Sequence, residues 1–299
     1  MNIKIVIERS VFNGKEIFMP DLEKLLGAAR KSYMPDNSGD ACEAIRKESI
    51  NKDSSRSEIL DFIMVFLCER IDLKYSAFKG GYVLTKLIPD DARATEDIDF
   101  SVSTEGQYYD IIPVLTDLGE YLTKLGIITS YEVKPTTGEH SSGGITMQTD
   151  GNTKNLKIDI GWHDLSWGIA NWSCEGFECR RFEVERMLAD KISTIYSRKR
   201  FRRTKDIYDF YILTNNFDVD MEKLRKYVEL RGLIDWSADP FREVIMVEYG
   251  KAYNALKVTT VKGEAIQKPP FDIVIGQLQS FMNKYETGCK WNHLTRTFS

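Results

Sequence analysis

The chain has 299 residues, 42% hydrophobic and 29% charged, enough for one large or two modest globular domains. Its net charge of −4 excludes a protein that binds nucleic acid over its whole surface, so any polyanion contact must come from a local basic patch. Cys42, Cys68, Cys174, Cys179 and Cys289 are odd in number and scattered, which fits reduced thiols in a cytoplasm.

No signal peptide is read at the start of the chain. Ile3, Ile5 and Ile7 alternate as a strand does, and Asn13-Gly14 ahead of Ile17 and Met19 predicts a hairpin. Pro20 opens a helical pattern of Leu22, Leu25, Leu26 and Ala29 that ends near Tyr33, and loops are expected over 34–40 and 51–57. Ser55 and Glu58 have the spacing of a capping box and predict a helix reaching about Arg70. That helix holds the longest apolar run, which Asp61 interrupts and which is too short to span a membrane. These early segments carry no evident site and are expected to pack against a sheet.

The stretch from Tyr75 to Val102 is where chemistry concentrates. Gly80 and Gly81 let the backbone approach a ligand closely and present amides to phosphate oxygens. Further on, Asp97 and Asp99 alternate with Ile98, Phe100 and Val102, so a strand would turn the apolar residues into a core and both carboxylates to the opposite face. Two like charges on one face repel. A divalent cation would relieve them, since carboxylate oxygens are the hard ligands magnesium prefers. The alternative is a solvated strand face that happens to carry two acids. A third carboxylate, Asp159, sits in NLKIDIGW with the same alternation, Leu156, Ile158 and Ile160 inward and Lys157 and Asp159 outward.

Between these strands, 108–126 predicts a helix with Ile112, Leu115, Leu118, Leu122 and Leu125 on one side and Pro113 in its first turn or at a kink. Strands are expected over 127–134, 145–149 and 155–160, with Asp150-Gly151-Asn152 making the last two antiparallel neighbours. The intervening 135–144 reads as a mobile loop whose His140 is solvent-exposed. Cys174, Cys179 and His163 have loose spacing and no fourth partner, which weighs against zinc. This order of elements predicts an α+β domain, a mixed sheet flanked by helices.

From Glu183 the texture turns helical. Val184, Met187, Leu188, Ile192 and Ile195 share a face at helical spacing, and Lys191 falls on it. A lysine there is either a snorkelling edge residue or one held for an anionic ligand. Arg198, Lys199, Arg200, Arg202, Arg203 and Lys205 then place six cations among eight residues, read as a solvated loop or, beside a nucleotide site, as a surface that tracks phosphates. Thr204 is placed to cap the next helix, with Asp206 in its first turn. Helices are further expected over 221–230, 241–256 and 271–285, the last two joined by a polar linker over 257–270. Trp236 and Trp291 could stack bases but suit a core better.

Gly-Gly, then D-x-D, then a lone aspartate on a later strand resembles the nucleotidyltransferases of the DNA polymerase β superfamily. The strings FKGGYVL and ATEDIDFSV are more specifically similar to the AbiEii/AbiGii toxin family. Over about 58–213 the motifs run in the family's order, with LADKI similar to its lysine motif and KDIYDFY to its RD-x-YD motif, Lys205 standing for the arginine. The resemblance departs in two places. Tyr82 follows Gly81 where other superfamily members carry Gly-Ser before a shorter spacer, and the loop from Leu87 to Glu96 is longer.

The resemblance implies a nucleotidyltransferase domain over 1–180 with an N-terminal extension, and a mainly helical region over 181–299 that completes the site. It implies catalytic Asp97, Asp99, Asp159, Lys191 and Asp206, with the three sheet aspartates on a two-ion magnesium site. Lys79, Gly80, Gly81 and Lys191 would bind the nucleoside triphosphate, and Arg198, Arg200, Arg202 and Arg203 an RNA acceptor such as a tRNA 3′ end. Asp209, three residues after Asp206, is read from its position as packing or pairing structurally. A cognate antitoxin and a role in phage defence follow from the same resemblance. Two alternatives remain: a nucleotide-binding module that never completes transfer, and a transferase acting on a protein or small molecule, against which the cationic run weighs.

Overall fold

The structure, a computed structural model, describes residues 50–103, 111–134, 142–149, 155–196, 204–232, 240–285 and 289–299. The hairpin expected over 2–19, the helix from Pro20, the tip at 150–152, His140 and Trp236 lie outside these residues.

Helix α1, Arg56–Arg70, starts where the capping box places it: the Glu58 amide donates to Ser55 Oγ at 3.3 Å and the Ser55 amide to Glu58 Oε2 at 2.6 Å. Strand β1, Ser76–Lys79, runs directly into helix α2, Gly80–Leu87. Strand β2 is Asp97–Ser103, and helix α3, Ile112–Lys124, carries Pro113 in its first turn, where a missing amide costs no helical bond. Strands β3, Ser130–Lys134, β4, Ser142–Gln148, and β5, Leu156–His163, follow. Strand β4 begins inside the segment expected as a loop, because Gly143 and Gly144 pair with Ile160 and Asp159 of β5.

Sequence reading placed no elements over 164–182, yet β6, Ile169–Cys174, and β7, Phe177–Phe182, form a hairpin there. The signal was present. Trp172, Cys174, Phe177 and Cys179 are buried and alternate within each strand around a Glu175-Gly176 turn in which both residues have positive φ, and Phe182 closes the second strand as a further buried residue. Cys174 and Cys179 are core residues and His163 Nδ1 lies 2.9 Å from Ser101 Oγ, so these three make no zinc centre.

The seven strands form one mixed sheet in the order β3-β4-β5-β2-β1-β7-β6. Strands β2 and β5 are parallel, as are β1 and β7, and the other pairs are antiparallel. Ile98, Phe100, Ile158, Ile145 and Met147 are almost wholly buried, and burial of each such side chain contributes roughly 1.5–3 kcal/mol. Helix α3 packs on β3 and β4, and α1 on β2 and β7.

The helical part comprises α4, Val184–Ile195, α5, Thr204–Asn216, α6, Met221–Arg231, α7, Glu243–Ala255, and α8, Phe271–Asn283, bringing the described residues to eight helices. Thr204 is the first residue of α5 itself rather than its cap. Helix α5 is the hub, with Ile207, Phe210 and Leu213 fully buried and α4, α7 and α8 packed on it. A second sheet, missed in the sequence because its strands are only two or three residues long, joins β8, Val219–Asp220, to β9, Lys290–Asn292, and β10, Thr297–Phe298. Its Trp291 is core: the indole N–H donates to the Thr214 carbonyl at 2.5 Å. Among the described residues no helix is long and apolar enough to cross a membrane.

Candidate active site

Alternation along β2 buries Ile98, Phe100 and Val102 and leaves Asp97 and Asp99 on the other face. Register then decides what stands beside them. Lys79 of β1 lies opposite Asp99 on one side, Asp159 of β5 on the other, and Gly144 of β4 beyond Asp159. One row thus crosses four strands as Lys79, Asp99, Asp159 and Gly144, with Asp97 paired to Lys157 in the parallel row two residues earlier. Gly144 is required by its backbone: its φ is +141°, and a Cβ there would fall 1.9 Å from the Ile158 carbonyl oxygen.

Gly80 turns the chain from β1 into α2 with φ +73°, and a Cβ on it would lie 2.2 Å from Asp99 Oδ2. The N-terminus of α2, whose first amides have no partner within the helix, therefore opens beside the Asp99 carboxylate. Gly81 is packed against Thr95, whose Oγ1 would be 2.7 Å from an added Cβ. Tyr82, which replaces the superfamily serine, is buried and donates its hydroxyl to Asp61 Oδ1 of α1 at 2.9 Å. The hydroxyl is engaged with α1, which leaves main-chain amides as the donors of this turn.

The electrostatics of the row are strained toward positive ligands. Burial, and next the neighbouring Asp97, push the Asp99 carboxyl up to about 7; Asp159 adds to this and Lys79 and Lys191 oppose it. Burial also holds the Lys79 ammonium below its usual range, against the pull of Asp190 and Asp99. Thr95 Oγ1 donates to Asp97 Oδ1 at 2.5 Å and Lys157 Nζ to Asp159 Oδ2 at 2.6 Å. Among the described residues no three His, Cys, Asp or Glu side chains gather into a group able to hold a metal ion.

The helical part brings a second group. Lys191 Nζ on α4 donates to Asp206 Oδ1 at 2.8 Å and to Asp209 Oδ2 at 2.7 Å, both on α5. Its ammonium is held inside by two carboxylates, so it is no snorkelling edge residue. Burial works against its charge, yet Asp206 and Asp209 hold it above the usual lysine range. Asp209 takes a fork from Arg93, Nε to Oδ1 and Nη2 to Oδ2, each at 2.9 Å. Burial pushes its carboxyl up, but Arg93 and Lys191 together bring it below the usual range.

Arg198, Arg200, Arg202 and Arg203 lie outside the described residues, and Lys205 on α5 is exposed. Sequence reading missed Arg93, Thr95 and Lys157 as contributors. The first two stand two residues apart just ahead of Asp97, a polar spacing that continues the strand's alternation upstream. Lys157 was placed on the outward face without its contact to Asp159.

A mixed sheet that sets a D-x-D strand beside a third carboxylate, with a glycine-opened helix following the neighbouring strand, resembles a nucleotidyltransferase in the order of its parts. The assignment to a family comes from the sequence: residues 66–272 match the family described as nucleotidyl transferase AbiEii toxin, type IV toxin–antitoxin system. The chain belongs to that family and is a nucleotidyltransferase toxin. Among solved structures it is similar to MenT4, a nucleotidyltransferase toxin from Mycobacterium tuberculosis, at 16% identity and TM-score 0.43 over 64% of this chain and 71% of that one. It is also similar to a putative nucleotidyltransferase from H. pylori, at 18% identity and TM-score 0.38 over 67% of this chain and 92% of that one. No curated protein matches the chain.

Proposed function

We propose that this toxin transfers a nucleoside monophosphate from a nucleoside triphosphate to an RNA hydroxyl, such as a tRNA 3′ end, in a magnesium-dependent reaction. The observation that carries the reading is the row in which Lys79, Asp99 and Asp159 stand abreast beside the N-terminus of α2. It joins carboxylates fit for a divalent cation to amides fit for a triphosphate.

The donor set suits magnesium. Asp97, Asp99 and Asp159 offer only hard carboxylate oxygens, and the Asp99 carboxyl is pushed up first by burial and next by the neighbouring Asp97, both of which a bound cation would offset. Those three residues would hold the metal, with the Thr95 and Lys157 contacts giving way to it. When bound, magnesium supplies charge stabilisation at the attacking and leaving oxygens.

The chain's own groups do the positioning. Amides of Gly80 and Gly81 bind phosphate oxygens, and Lys79, with no counter-ion within ion-pair distance among the described residues, adds charge beside them. An acceptor hydroxyl attacks the α-phosphorus, its new P–O bond forming as the bond to the β-phosphate oxygen breaks. Asp159 accepts the hydroxyl proton, and pyrophosphate leaves. Lys191 offsets triphosphate charge, and Asp206, 2.8 Å away, orients it. In this reading 1–180 carries the carboxylates, 181–299 completes the site, and Arg198, Arg200, Arg202 and Arg203 track the acceptor backbone. An antitoxin is the partner that keeps such an activity in check.

The test is direct. The protein is incubated with magnesium, each α-labelled nucleoside triphosphate and total RNA, with Asp99→Asn as control. Label in RNA with the wild type only is the expected outcome. Nucleotide binding without label in any acceptor would instead mark a binding module, and label in protein alone would move the acceptor class.

A further inference from the structure

The loop over 88–96, longer than the superfamily pattern, joins α2 to the carboxylate strand and rests on the helical part. It is seated on α5 through Asp91 and Arg93, Asp91 also accepting from Asn216 Nδ2 at 3.4 Å, and on the 257–270 segment through Ala94. The Tyr208 hydroxyl donates to the Asp91 carbonyl at 2.9 Å, Arg93 forks onto Asp209, and the Ala94 amide donates to the Thr259 carbonyl at 2.7 Å. Two residues beyond Thr95 the same backbone becomes Asp97 and then Asp99.

Of these ties the Arg93 fork is the one that acts on charge. Asp209 is 2% exposed, and its Oδ2 receives Arg93 Nη2 and Lys191 Nζ together. Within the group of four, Arg93 and Lys191 balance Asp206 and Asp209. Without Arg93, a buried carboxylate would keep a single cation, Lys191, and hold it away from Asp206 and from any triphosphate. The groups facing Lys191 are Asp206 and Asp209 on α5, Arg93 on the loop and, at longer range, Asp99 on β2.

We propose that Arg93 is a positioning residue for transfer: by supplying Asp209 with a second cation it leaves Lys191 shared between Asp209 and Asp206 rather than drawn onto Asp209 alone, and so holds the lysine where it can act on the nucleotide. This rests on the transfer reading above. A displacement of about 1 Å at such a group is enough to cost roughly a hundredfold in turnover. Lysine in place of Arg93 keeps the charge but loses the fork, so it restores only part of the function.

The experiment measures kcat and KM for the triphosphate in wild type, Arg93→Gln, Arg93→Lys, the double variant Arg93→Gln/Asp209→Asn, and Tyr208→Phe, each well below its melting temperature. Tyr208→Phe removes a tie of the same loop without touching the charge group. The expected result is a fall in kcat of about ten- to a hundredfold for Arg93→Gln, partial recovery in Arg93→Lys, and a kcat for the double variant above that of Arg93→Gln. Tyr208→Phe should lower the melting temperature with kcat within about twofold of wild type. If Arg93→Gln turns over like wild type, or if Tyr208→Phe loses kcat as steeply, the fork is only a fastening and the proposal is overturned. Wild type that transfers no nucleotide would overturn the transfer reading, and this proposal with it.

Discussion

Gly80 and Asp99 are in contact across the β1–β2 pair so closely that the glycine has no room for a side chain: a Cβ would sit 2.2 Å from Asp99 Oδ2. The same residue holds φ +73°, where a Cβ costs roughly 1–2 kcal/mol. Gly80→Ala should therefore lower stability by about that amount and, by pushing the carboxylate aside, reduce transfer by about a hundredfold or more. Thermal melts and initial rates on the same preparation check both parts. A variant with normal rates would show that Asp99 need not stand against the helix N-terminus.

Metal dependence should follow the carboxylate row. Asp99→Ala removes the central hard ligand, and no neutral side chain replaces it. Titration calorimetry with triphosphate should give magnesium-dependent binding in wild type and none in Asp99→Ala. Asp159→Ala should retain binding more than it retains turnover, because Asp159 is assigned to the attacking hydroxyl. Equal loss of binding in both variants would contradict that division of labour.

Asp209 yields a pH prediction. Its carboxyl is held below the usual range by Arg93 and Lys191 despite burial, so its folded value lies under the unfolded value near 3.8. A depressed carboxylate contributes stability that is fully present above the unfolded value and is lost as pH falls through the folded one. Asp209→Asn leaves Arg93 unmatched and should cost about 3–5 kcal/mol at pH 7. The gap between wild type and variant should narrow toward pH 3. Urea denaturation at the two pH values measures it, and a gap that stays constant would show that Asp209 carries no proton-linked stability.

How far the sequence discloses this site depends on the kind of interaction. Strand alternation around Ile98 and Ile158 makes the aspartate faces legible, because side-chain direction in a strand has a fixed period. The capping box of α1 and the face of α4 are legible for the same local reason. Arg93 is not: its meaning comes from Asp209, 116 residues away, and no local pattern signals a pairing at that range. Asp209 itself is read from sequence as a structural partner, and the structure supplies the residue it serves. The strand expected over 145–149 starts three residues earlier, at Ser142, because Gly143 and Gly144 read as loop residues until the register beside Asp159 explains them. The short β8–β10 sheet has too few residues to form a pattern at all.

The two cationic features should separate by salt. Lys191 is a single placed charge within ion-pair distance of Asp206 and Asp209, and solvent screening reaches it little. Lys191→Met keeps the packing of the stem and removes the charge, so turnover should fall by about a hundredfold or more at low and high salt alike. The run from Arg198 to Lys205 is expected to hold an acceptor backbone by counterion release. There, Arg202→Gln with Arg203→Gln should weaken RNA binding and reduce its log–log salt slope by about 1.4 for a single strand, with nucleotide binding unchanged. Filter binding of RNA across a salt series, beside triphosphate titration, reads both effects. A double variant with unaltered RNA affinity and slope would leave those arginines as solvated charges, and the acceptor would then have to be sought elsewhere on the chain. A fully active Lys191→Met would place the Lys191–Asp206 pair in the scaffold, where it would hold α4 against α5 and take no part in the chemistry.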